Sequence, residues 1–304
     1  MLRIRFWNVG DGDAILIEEL SGDRAFRMLV DTGTGAAPLC ADHLRRAEIT
    51  RLDKLVITHL HADHIGGLAA IAESCAVGEL ICGYIPLRAG AQAPLEPRAD
   101  KPVRNMIACL NRFSADAALL REKGCRMTEL FASWHGVNLT ENLSADFIVP
   151  DLRALRLQRE VWNRMLEPRR VPDAKRIRAA KLRNPNSLRV RLRYAGREIE
   201  LAGDCYAEVW EKDDLAPCDI LKLPHHGDDK SVTDRLLSKL KPAHSVICCD
   251  RAGDEKRPAR RTVDALARAG TQVWFSDGSA SGEEWPCADF AILDDGTIVP
   301  PSFR

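Results

Sequence analysis

The sequence predicts an α/β fold in which several strands end in side chains that can bind metal. Short apolar runs alternate with amphipathic stretches along the 304 residues, a pattern typical of strands alternating with helices. The stretch LVITHLHADHIGGL at 55–68 places three of the chain's 8 His and one Asp within six residues. LAGD at 201–204 and DILKLPHHG at 219–227 end in Asp or carry a His pair. Strand ends that carry such donors suit a metal site.

The first 75 residues contain the clearest strand and helix signals. The strand signals are short runs of apolar and β-branched residues, and the Gly10-Asp11-Gly12 turn separates the first two of them. Helices are indicated by apolar residues at helical spacing. The predicted strands are RIRFWNV (3–9), AILIEE (14–19), FRMLVDTG (26–33) and KLVIT (54–58), and the predicted helices are residues 38–49 and 65–75.

The order of elements is harder to predict in the middle of the chain and becomes clear again after residue 184. A Pro-rich loop at 85–102 precedes a helix at 103–124 and a short strand at 145–150. The remaining predicted elements are strands at 187–196, 197–204, 219–227 and 271–277, and a helix at 259–269.

Residues 153–183 form the one strongly basic segment of the sequence. The segment holds eleven Arg or Lys against three acidic residues, Glu160, Glu167 and Asp173. Because runs of charge usually face water, one interpretation is a solvated helical insertion. The other is a lid that grips a phosphate-bearing substrate. The sequence alone leaves both interpretations open.

Composition excludes several classes of protein. The 44 basic and 44 acidic residues balance, so no global field attracts nucleic acid or an anionic membrane. No apolar run approaches the roughly 18 residues of a membrane-spanning helix, and the first residues alternate apolar and polar, unlike a secretory signal. Ten Cys without a Cys-x-x-Cys argue against a zinc ribbon or a disulfide scaffold. We therefore expect a soluble protein of the reducing cytoplasm with no membrane partner.

The motifs resemble those of a known superfamily. Thr-His-x-His-x-Asp-His at 58–64 is the signature of the metallo-β-lactamase fold superfamily, and VDTG at 30–33 resembles its usual preceding motif. More narrowly, NVGDGDAILIE, THLHADHIGG, NPNSLRVRL, LAGD and DILKLPHHG resemble, in this order, the soluble hydrolase-like domain of ComEC-type competence proteins. The resemblance implies a four-layer αββα sandwich. It also implies that residues 1–304 form a single domain of this type, with a basic insertion at about 151–183.

The resemblance also implies a dinuclear metal site. A bridging carboxylate would join two divalent ions, and the mixed His and carboxylate donors suit zinc, with manganese or iron as alternatives. The implied ligands are His59 and His61 for the first metal, Asp63, His64 and His226 for the second, and Asp204 as the bridge.

Further roles follow from the same resemblance. Either His225 or His226 would bind the second metal; we favour His226 as the ligand and His225 as a proton-shuttling residue. Asp63 would take part in catalysis as well as bind metal, and Asp31 would hydrogen-bond a ligating His. Gly66 and Gly67 are expected to let the backbone turn tightly behind the ligands.

The sequence departs from the family pattern at two points. Asp11 stands where the family's early motif usually has Gln. Many members of the superfamily also supply one further ligand between the His cluster and the bridging Asp. His135 is the only His in that interval, and Asp151 lies closer to the family's position, so both remain candidates.

The expected chemistry is metal-dependent hydrolysis. Two metal ions would lower the pKa of a bound water towards neutrality and so make a hydroxide available for attack on the substrate. The basic segment and the ComEC resemblance favour a phosphodiester, in nucleic acid or in a small molecule. The alternatives are a carbon-ester, amide or thioester hydrolase on the same metals, and a metal-binding module without turnover.

Overall fold

The computed structural model describes residues 1–21, 25–36, 39–167, 169–252, 257–278 and 287–301. Strands and helices are numbered separately along the chain. The strands are β1 Leu2–Trp7, β2 Ile15–Glu19, β3 Phe26–Val30, β4 Arg51–Ile57, β5 Ala76–Cys82, β6 Arg126–Glu129, β7 Trp134–Asn138, β8 Leu143–Ile148, β9 Arg189–Tyr194, β10 Arg197–Leu201, β11 Ile220–Lys222, β12 His244–Ile247, β13 Gln272–Phe275, β14 Cys287–Ile292 and β15 Ile298–Val299. The helices are α1 Cys40–Arg46, α2 Ala62–Ile65, α3 Leu68–Ser74, α4 Lys101–Glu122, α5 Leu152–Leu166, α6 Asp173–Lys181, α7 Ala207–Trp210, α8 Asp234–Leu240 and α9 Arg260–Ala269.

The strands form two mixed sheets. Sheet A has eight strands in the order β15-β14-β1-β2-β3-β4-β5-β6, and sheet B has seven in the order β13-β12-β11-β10-β9-β8-β7. Strands β3 to β6 run parallel in sheet A, as do β10 to β13 in sheet B. Because neighbouring parallel strands end at the same edge, the loops that follow them in each sheet are brought together.

The two sheets pack face to face around an apolar core. Alternate residues of β1, such as Leu2, Ile4 and Phe6, belong to this core together with Val190 and Leu192 of β9. The period of two follows from the pleat, which turns successive side chains to opposite faces. The inner layers of the fold are therefore two stacked sheets.

Helices cover the outer face of each sheet. In α4 the buried residues Val103, Met106, Ile107, Leu110 and Phe113 recur at helical spacing and join a cluster on the outer side of sheet A. A third cluster lies between sheet B and helices α7, α8 and α9. The arrangement is helix, sheet, sheet, helix, so the predicted α/β sandwich is confirmed.

The basic segment folds into helices α5 and α6, which each bury one face. Val161, Trp162 and Met165 of α5 and Ala179 and Ala180 of α6 pack into the same cluster as α4. Many of the charged side chains lie on the other face. The segment is thus packed against the layer of helices on sheet A, and its C-terminal end leads into β9.

Several observed elements are absent from the sequence prediction. Strands β6 and β7, at the edges of their sheets, are largely exposed or half-buried, so they lack the apolar run that marks a buried strand. Strand β5 contains Gly78 and Glu79, which weaken its strand signal.

Within the described residues, none of the helices combines the length and the apolar character of a bilayer-spanning segment. The nine buried Cys are free thiols.

Candidate metal centre

Four strands deliver the predicted donors to one place. Asp31 follows β3 directly, His59 lies two residues beyond β4, Asp204 three residues beyond β10, and His226 four residues beyond β11. These positions lie just past the C-terminal ends of neighbouring strands in the two sheets. The strands are rigid and buried, so they fix the positions of the side chains that follow them.

The donors form two groups that share one carboxylate. The ligand atoms within each group lie within 4.8 Å of one another. Asp204 belongs to both groups and is completely buried, which is the position a bridging ligand requires. The first group contains His59, His61 and Asp204, and the second contains Asp63, His64, Asp204 and His226.

Several buried atoms of these donors have no hydrogen-bond partner. Both carboxylate oxygens of Asp204 are buried and make no hydrogen bond, and the same is true of Nε2 of His64 and Nε2 of His226. Buried polar atoms in proteins are nearly always paired. His59 Nε2 also lies 2.9 Å from His61 Nδ1, which brings two imidazole donors to one point. The donor set therefore fits divalent metal ions.

The buried negative charges at the site also fit divalent metal ions. Four carboxylates, those of Asp13, Asp31, Asp63 and Asp204, surround His64 within 4.0 Å of its ring nitrogens. Buried anions are strongly unfavourable unless cations balance them. A buried lysine pairs with one of the four, and bound cations would balance the remainder.

The histidines titrate in two different ways. Burial lowers the pKa of His59 well below its usual value, and burial with the nearby Arg183 lowers the pKa of His61 to about 3. Both rings are therefore neutral at pH 7, the form that binds metal. Burial alone would lower the pKa of His64, but Asp204 and other carboxylates raise it well above its usual value. A metal ion at His64 must therefore displace a proton.

Hydrogen bonds behind the donors fix the orientation of the rings. Asp31 accepts a bond from His64 Nδ1 at 2.7 Å, and it also accepts bonds from the backbone N–H and the hydroxyl of Thr58 at 2.8 and 2.7 Å. His226 donates from Nδ1 to the carbonyl oxygen of Cys248 at 2.8 Å. Each bond leaves the opposite nitrogen, Nε2, directed at the cluster, the arrangement typical of metal-binding histidines.

The neighbouring His225 and His226 play different structural roles. Both have left-handed backbone conformations, with φ of 47° and 57°. His226 is completely buried and lies in the second donor group, whereas His225 is not part of either group. His225 Nε2 faces Asp204 at 4.0 Å, and its Nδ1 is bonded to the carboxylate of Asp228. His225 is thus a hydrogen-bonded imidazole at the rim of the cluster.

Asp13 and Lys222 form a buried ion pair behind the centre that the sequence analysis did not identify. Lys222 Nζ is bonded to the Asp13 carboxylate and to the carbonyl oxygen of Gly203 at 3.0 Å. Burial alone would lower the pKa of Lys222, but Asp13 reverses the shift and raises it. A Lys and an Asp inside otherwise apolar strand signals, in DILKLP and GDAILI, were the available clue.

The other candidates lie outside the cluster. His135 is on β7, with its side chain 66% exposed and 3.5 Å from Asp146. Asp151 directly precedes α5, and its carboxylate accepts bonds from the backbone N–H groups of Arg153 and Ala154. Asp11 accepts a bond from the backbone N–H of Asp250 at 3.1 Å. Neither His135 nor Asp151 is in a donor group found among the described residues.

Gly66 and Gly67 form the expected turn, between α2 and α3. Close packing also requires a glycine at Gly66. Its backbone is helical, with φ of −62°. A Cβ at this position would lie 2.1 Å from the carbonyl carbon and oxygen of Thr34, a distance that no folded chain tolerates. Gly67 is similar, since its Cβ would lie 2.2 Å from the carbonyl oxygen of Thr32. Both glycines let the donor loop lie against the backbone that follows β3.

An open pocket of about 450 Å³ leads to the cluster. We call it the reaction pocket. Asp63 is the one carboxylate among its lining residues, whereas Arg183 and Arg257 bring two guanidinium groups. The remaining lining residues are His61, Ala62, Asn105, Ala108, Cys109, Asn184 and His225.

Comparison with known proteins agrees with this geometry. Residues 7–104, which include the cluster from His59 to His64, match the family model described as Metallo-beta-lactamase superfamily. The Zn(2+)-bound PqqB from Methylobacterium extorquens is a similar solved structure, with a TM-score of 0.50 and 9% identity over 90% of this chain and 98% of that one. The fold is of the metallo-beta-lactamase type. YhfI from Bacillus subtilis, a metallo-beta-lactamase fold protein, aligns with a TM-score of 0.49 and 10% identity over 90% of this chain and 96% of that one.

Proposed function

We propose that this chain is a metal-dependent hydrolase of phosphodiesters, with zinc as its resident metal. The observation that carries the proposal is the set of buried, unpartnered donor atoms around Asp204 at the floor of the reaction pocket. Arg183 and Arg257 at the same pocket favour an anionic substrate, because guanidinium groups match the geometry of phosphate oxygens. This combination is typical of hydrolytic sites for phosphate esters.

The protein's contribution to metal binding is a preformed set of donors. When bound, a pair of divalent ions activates water as the nucleophile and stabilises the negative charge that develops on the substrate. The mixture of imidazole and carboxylate donors favours zinc. The residues that would hold the ions are His59, His61 and Asp204 for one, and Asp63, His64, His226 and Asp204 for the other.

Two residues at the rim would act on the substrate. His225 directs Nε2 towards the cluster, and Asp228 bonds its other nitrogen. An imidazole oriented in this way can transfer a proton to the leaving oxygen. Asp63 is 30% exposed, and one of its carboxylate oxygens lies 3.3 Å from His226 Nε2. It would therefore bind metal and accept a proton from the pocket side.

Narrower features of the proposal rest on the sequence. The ordered motifs from NVGDGDAILIE to DILKLPHHG support a similarity to the hydrolase-like domain of ComEC-type proteins, which favours a substrate related to nucleic acid. Nine buried free thiols are typical of a reducing compartment, so we propose a cytoplasmic location.

The test is an activity panel on protein treated with a chelator and then supplied with zinc or manganese. We expect cleavage of bis-nitrophenyl phosphate to disappear on chelation and to return with metal, and elemental analysis to find close to two ions per chain. Asp204→Ala should lose both metal and activity. Preferential cleavage of a nitrophenyl carboxylic ester would replace the proposal with a carbon-ester hydrolase. Bound metal without turnover on either substrate would leave a binding module.

A further inference from the structure

A second pocket, of about 480 Å³, adjoins the reaction pocket. We call it the cationic pocket. His61, Asn105, Arg183 and Asn184 line both pockets, so the two form one continuous depression that begins at the first donor group. A substrate bound at the metals would therefore extend into the cationic pocket.

The cationic pocket collects positive charge from three separate parts of the chain. Lys101 begins α4, Lys181 ends α6, and Lys230 follows the His pair by four residues. The pocket is lined by these three lysines and Arg183, and by no carboxylate. All three lysines are exposed, and none forms an ion pair with a described residue. Charges of one sign around a concave surface attract an anion more strongly than the same charges spread over a protein.

Arg183 is the part of the pocket that most clearly needs a ligand. It is 4% exposed and donates hydrogen bonds to the carbonyl oxygens of Leu60, at 2.9 Å, and Ala180, at 3.2 Å. Carbonyl oxygens satisfy its N–H groups but carry no full charge, and no described carboxylate forms an ion pair with it. A buried cation without an anion is costly. A phosphate group at the junction of the two pockets would provide the missing charge.

Asn184 adds a second unpartnered group at the same junction. It is 7% exposed, and its side-chain oxygen is buried without a hydrogen-bond partner. A buried amide in this state costs free energy that a polar ligand can recover. Asn184 is next to Arg183 in the chain, so the pair presents a charged and a neutral polar group to one bound molecule.

Tyr206 provides an aromatic surface in the cationic pocket. The ring is half-buried, lies 5.5 Å from the His225 ring between centroids, and has Lys230 Nζ 5.1 Å from its centroid. Proteins that bind single-stranded nucleic acid combine cationic grooves with aromatic rings on which bases stack. Tyr206 and Lys230 place these two features side by side.

We infer that the cationic pocket binds the phosphates and the base next to the scissile phosphodiester of a single-stranded nucleic acid. The inference rests on the proposed function, since it names the substrate class of the same metal centre. Arg183 contacts the phosphate nearest the metals, and the three lysines contact its neighbours. Tyr206 stacks a base, and the Asn184 side-chain oxygen accepts a hydrogen bond from a base N–H. A flexible single strand can bend into the depression, whereas a duplex is too stiff to do so.

The experiment measures binding, because binding does not depend on turnover. Fluorescence anisotropy of a labelled oligothymidylate of about ten nucleotides is recorded over a range of salt concentrations, with zinc-loaded protein and with chelated protein. The variant Lys101→Gln, Lys181→Gln, Lys230→Gln should bind about tenfold more weakly or worse. The slope of log affinity against log salt should fall by about 2, since each lost contact with a single strand removes about 0.7.

A matched control removes three positive charges elsewhere. Arg121 and Lys123 lie at the opposite end of α4 from Lys101, and Lys241 precedes β12 at the end of sheet B away from the metal centre. The variant Arg121→Gln, Lys123→Gln, Lys241→Gln should keep the wild-type slope and bind within about twofold of wild type. Equal losses in the two triple variants, or no loss in the cationic pocket variant, would overturn the inference.

Two further measurements test the kind of ligand. Tyr206→Leu should weaken oligothymidylate binding about fivefold or more while leaving the salt slope unchanged, as expected for lost stacking. Inorganic pyrophosphate should compete poorly. If pyrophosphate displaces the oligonucleotide at equal phosphate concentration, the pocket is a site for small diphosphates and the nucleic-acid inference is rejected.

These results are separable from the proposed function. Loss of affinity in the cationic pocket variant, in a protein that never cleaves bis-nitrophenyl phosphate, would keep the binding site and reject the phosphodiesterase. Metal-dependent cleavage with wild-type binding by the cationic pocket variant would keep the enzyme and reject the site.

Discussion

Among the described residues, three of the six non-glycine residues with positive φ lie at the candidate metal centre. Asp31, His225 and His226 have positive φ values of 60°, 47° and 57°, in the left-handed region that non-glycine residues rarely adopt. Each such residue costs about 1 to 3 kcal/mol, and surrounding structure must compensate for it. Here left-handed conformations after β3 and after β11 direct a carboxylate and two imidazoles to the cluster. The strain lies where the donors are positioned.

The His pair gives a prediction at this scale. His226→Asn should lose the metal of the second donor group, because His226 Nε2 is buried there without another partner. His225→Asn should keep both metals and lower the turnover rate by about 100-fold or more, the usual contribution of a general acid or base. Asn is chosen because it tolerates the left-handed conformation. Elemental analysis and steady-state kinetics provide the two measurements.

The opposite pattern would contradict these roles. If His225→Asn loses metal while His226→Asn keeps it, His225 is the ligand and His226 supports it. Circular dichroism of both variants serves as the control for folding, since the substitutions differ by one position on the same turn.

Asp116 gives a prediction about pH. Its Oδ2 is buried without a hydrogen bond, 3.8 Å from Arg112 Nε, and burial raises the pKa of this carboxyl to about 6. The folded state therefore binds a proton more tightly than the unfolded state, so this residue lowers stability as the pH rises from about 4 to about 6. Asp116→Asn should stabilise the protein by about 1 to 2 kcal/mol at pH 7.5, a figure reduced for residual solvent screening.

Urea denaturation at several pH values checks this expectation. The advantage of Asp116→Asn should shrink as the pH falls and should be absent near pH 4, where the wild-type carboxyl is protonated in the folded protein. A stabilisation of equal size at pH 4 and pH 7.5 would show that charge burial is not its cause.

At the scale of elements, the basic segment, residues 153–183, contributes to two parts of the molecule. Arg176 is paired with Glu96 and Asp173, and Arg169 with Glu167, so part of its charge is balanced locally. Lys181 ends α6, and Arg183 follows it closely in the chain; both line the cationic pocket. The packed faces of α5 and α6 hold this end in place. The segment therefore contributes to the core and to the cationic pocket.

Asp151 is expected to stabilise a helix. Its Oδ1 accepts bonds from the N–H groups of Arg153, at 2.7 Å, and Ala154, at 3.2 Å, at the start of α5. Asp151→Ala should therefore lower the free energy of unfolding by about 1 kcal/mol, the usual cost of a lost N-terminal cap. The metal content should stay at the wild-type value.

Asp151→Ser is the matched control, because serine caps helices without a carboxylate. It should restore most of the lost stability. Loss of a metal ion from both variants would instead show that Asp151 is the further ligand that the family pattern allows.

On the scale of the whole molecule, one buried ion pair joins the two sheets behind the metal centre. Asp13 precedes β2 of sheet A, and Lys222 ends β11 of sheet B. Their side chains are 1% and 0% exposed. Removing one partner of a buried pair leaves an isolated charge, which is far more costly than replacing both partners.

Lys222→Met should therefore lower the free energy of unfolding by about 3 kcal/mol or more, measured by urea denaturation of chelated protein so that metal binding does not contribute. The double variant Asp13→Asn, Lys222→Met should recover part of the loss. Lys54→Met breaks the partly exposed pair with Glu79 and should cost about 1 kcal/mol or less. Equal losses for Lys222→Met and Lys54→Met would show that burial does not govern the cost.

The sequence by itself determined the fold class and predicted a set of donors. The alternation of strands and helices is a local property, and the cluster at 58–64 brings four donors together within one loop. Asp204 was predicted as a donor because it ends a strand signal and carries a donor type that matches the cluster. These features depend on neighbours in the chain, so a sequence motif is enough to reveal them.

The tertiary structure decided the contacts between distant residues. Asp13 and Lys222 are 209 positions apart, and Lys101, Lys181 and Lys230 come from segments that share no motif. These contacts depend on how two sheets and their covering helices pack, which no local pattern encodes. The difference between His225 and His226 lies in the complete burial of the His226 side chain and in its place in the second donor group. Adjacent identical residues can be distinguished only when the surrounding fold gives each ring a different environment.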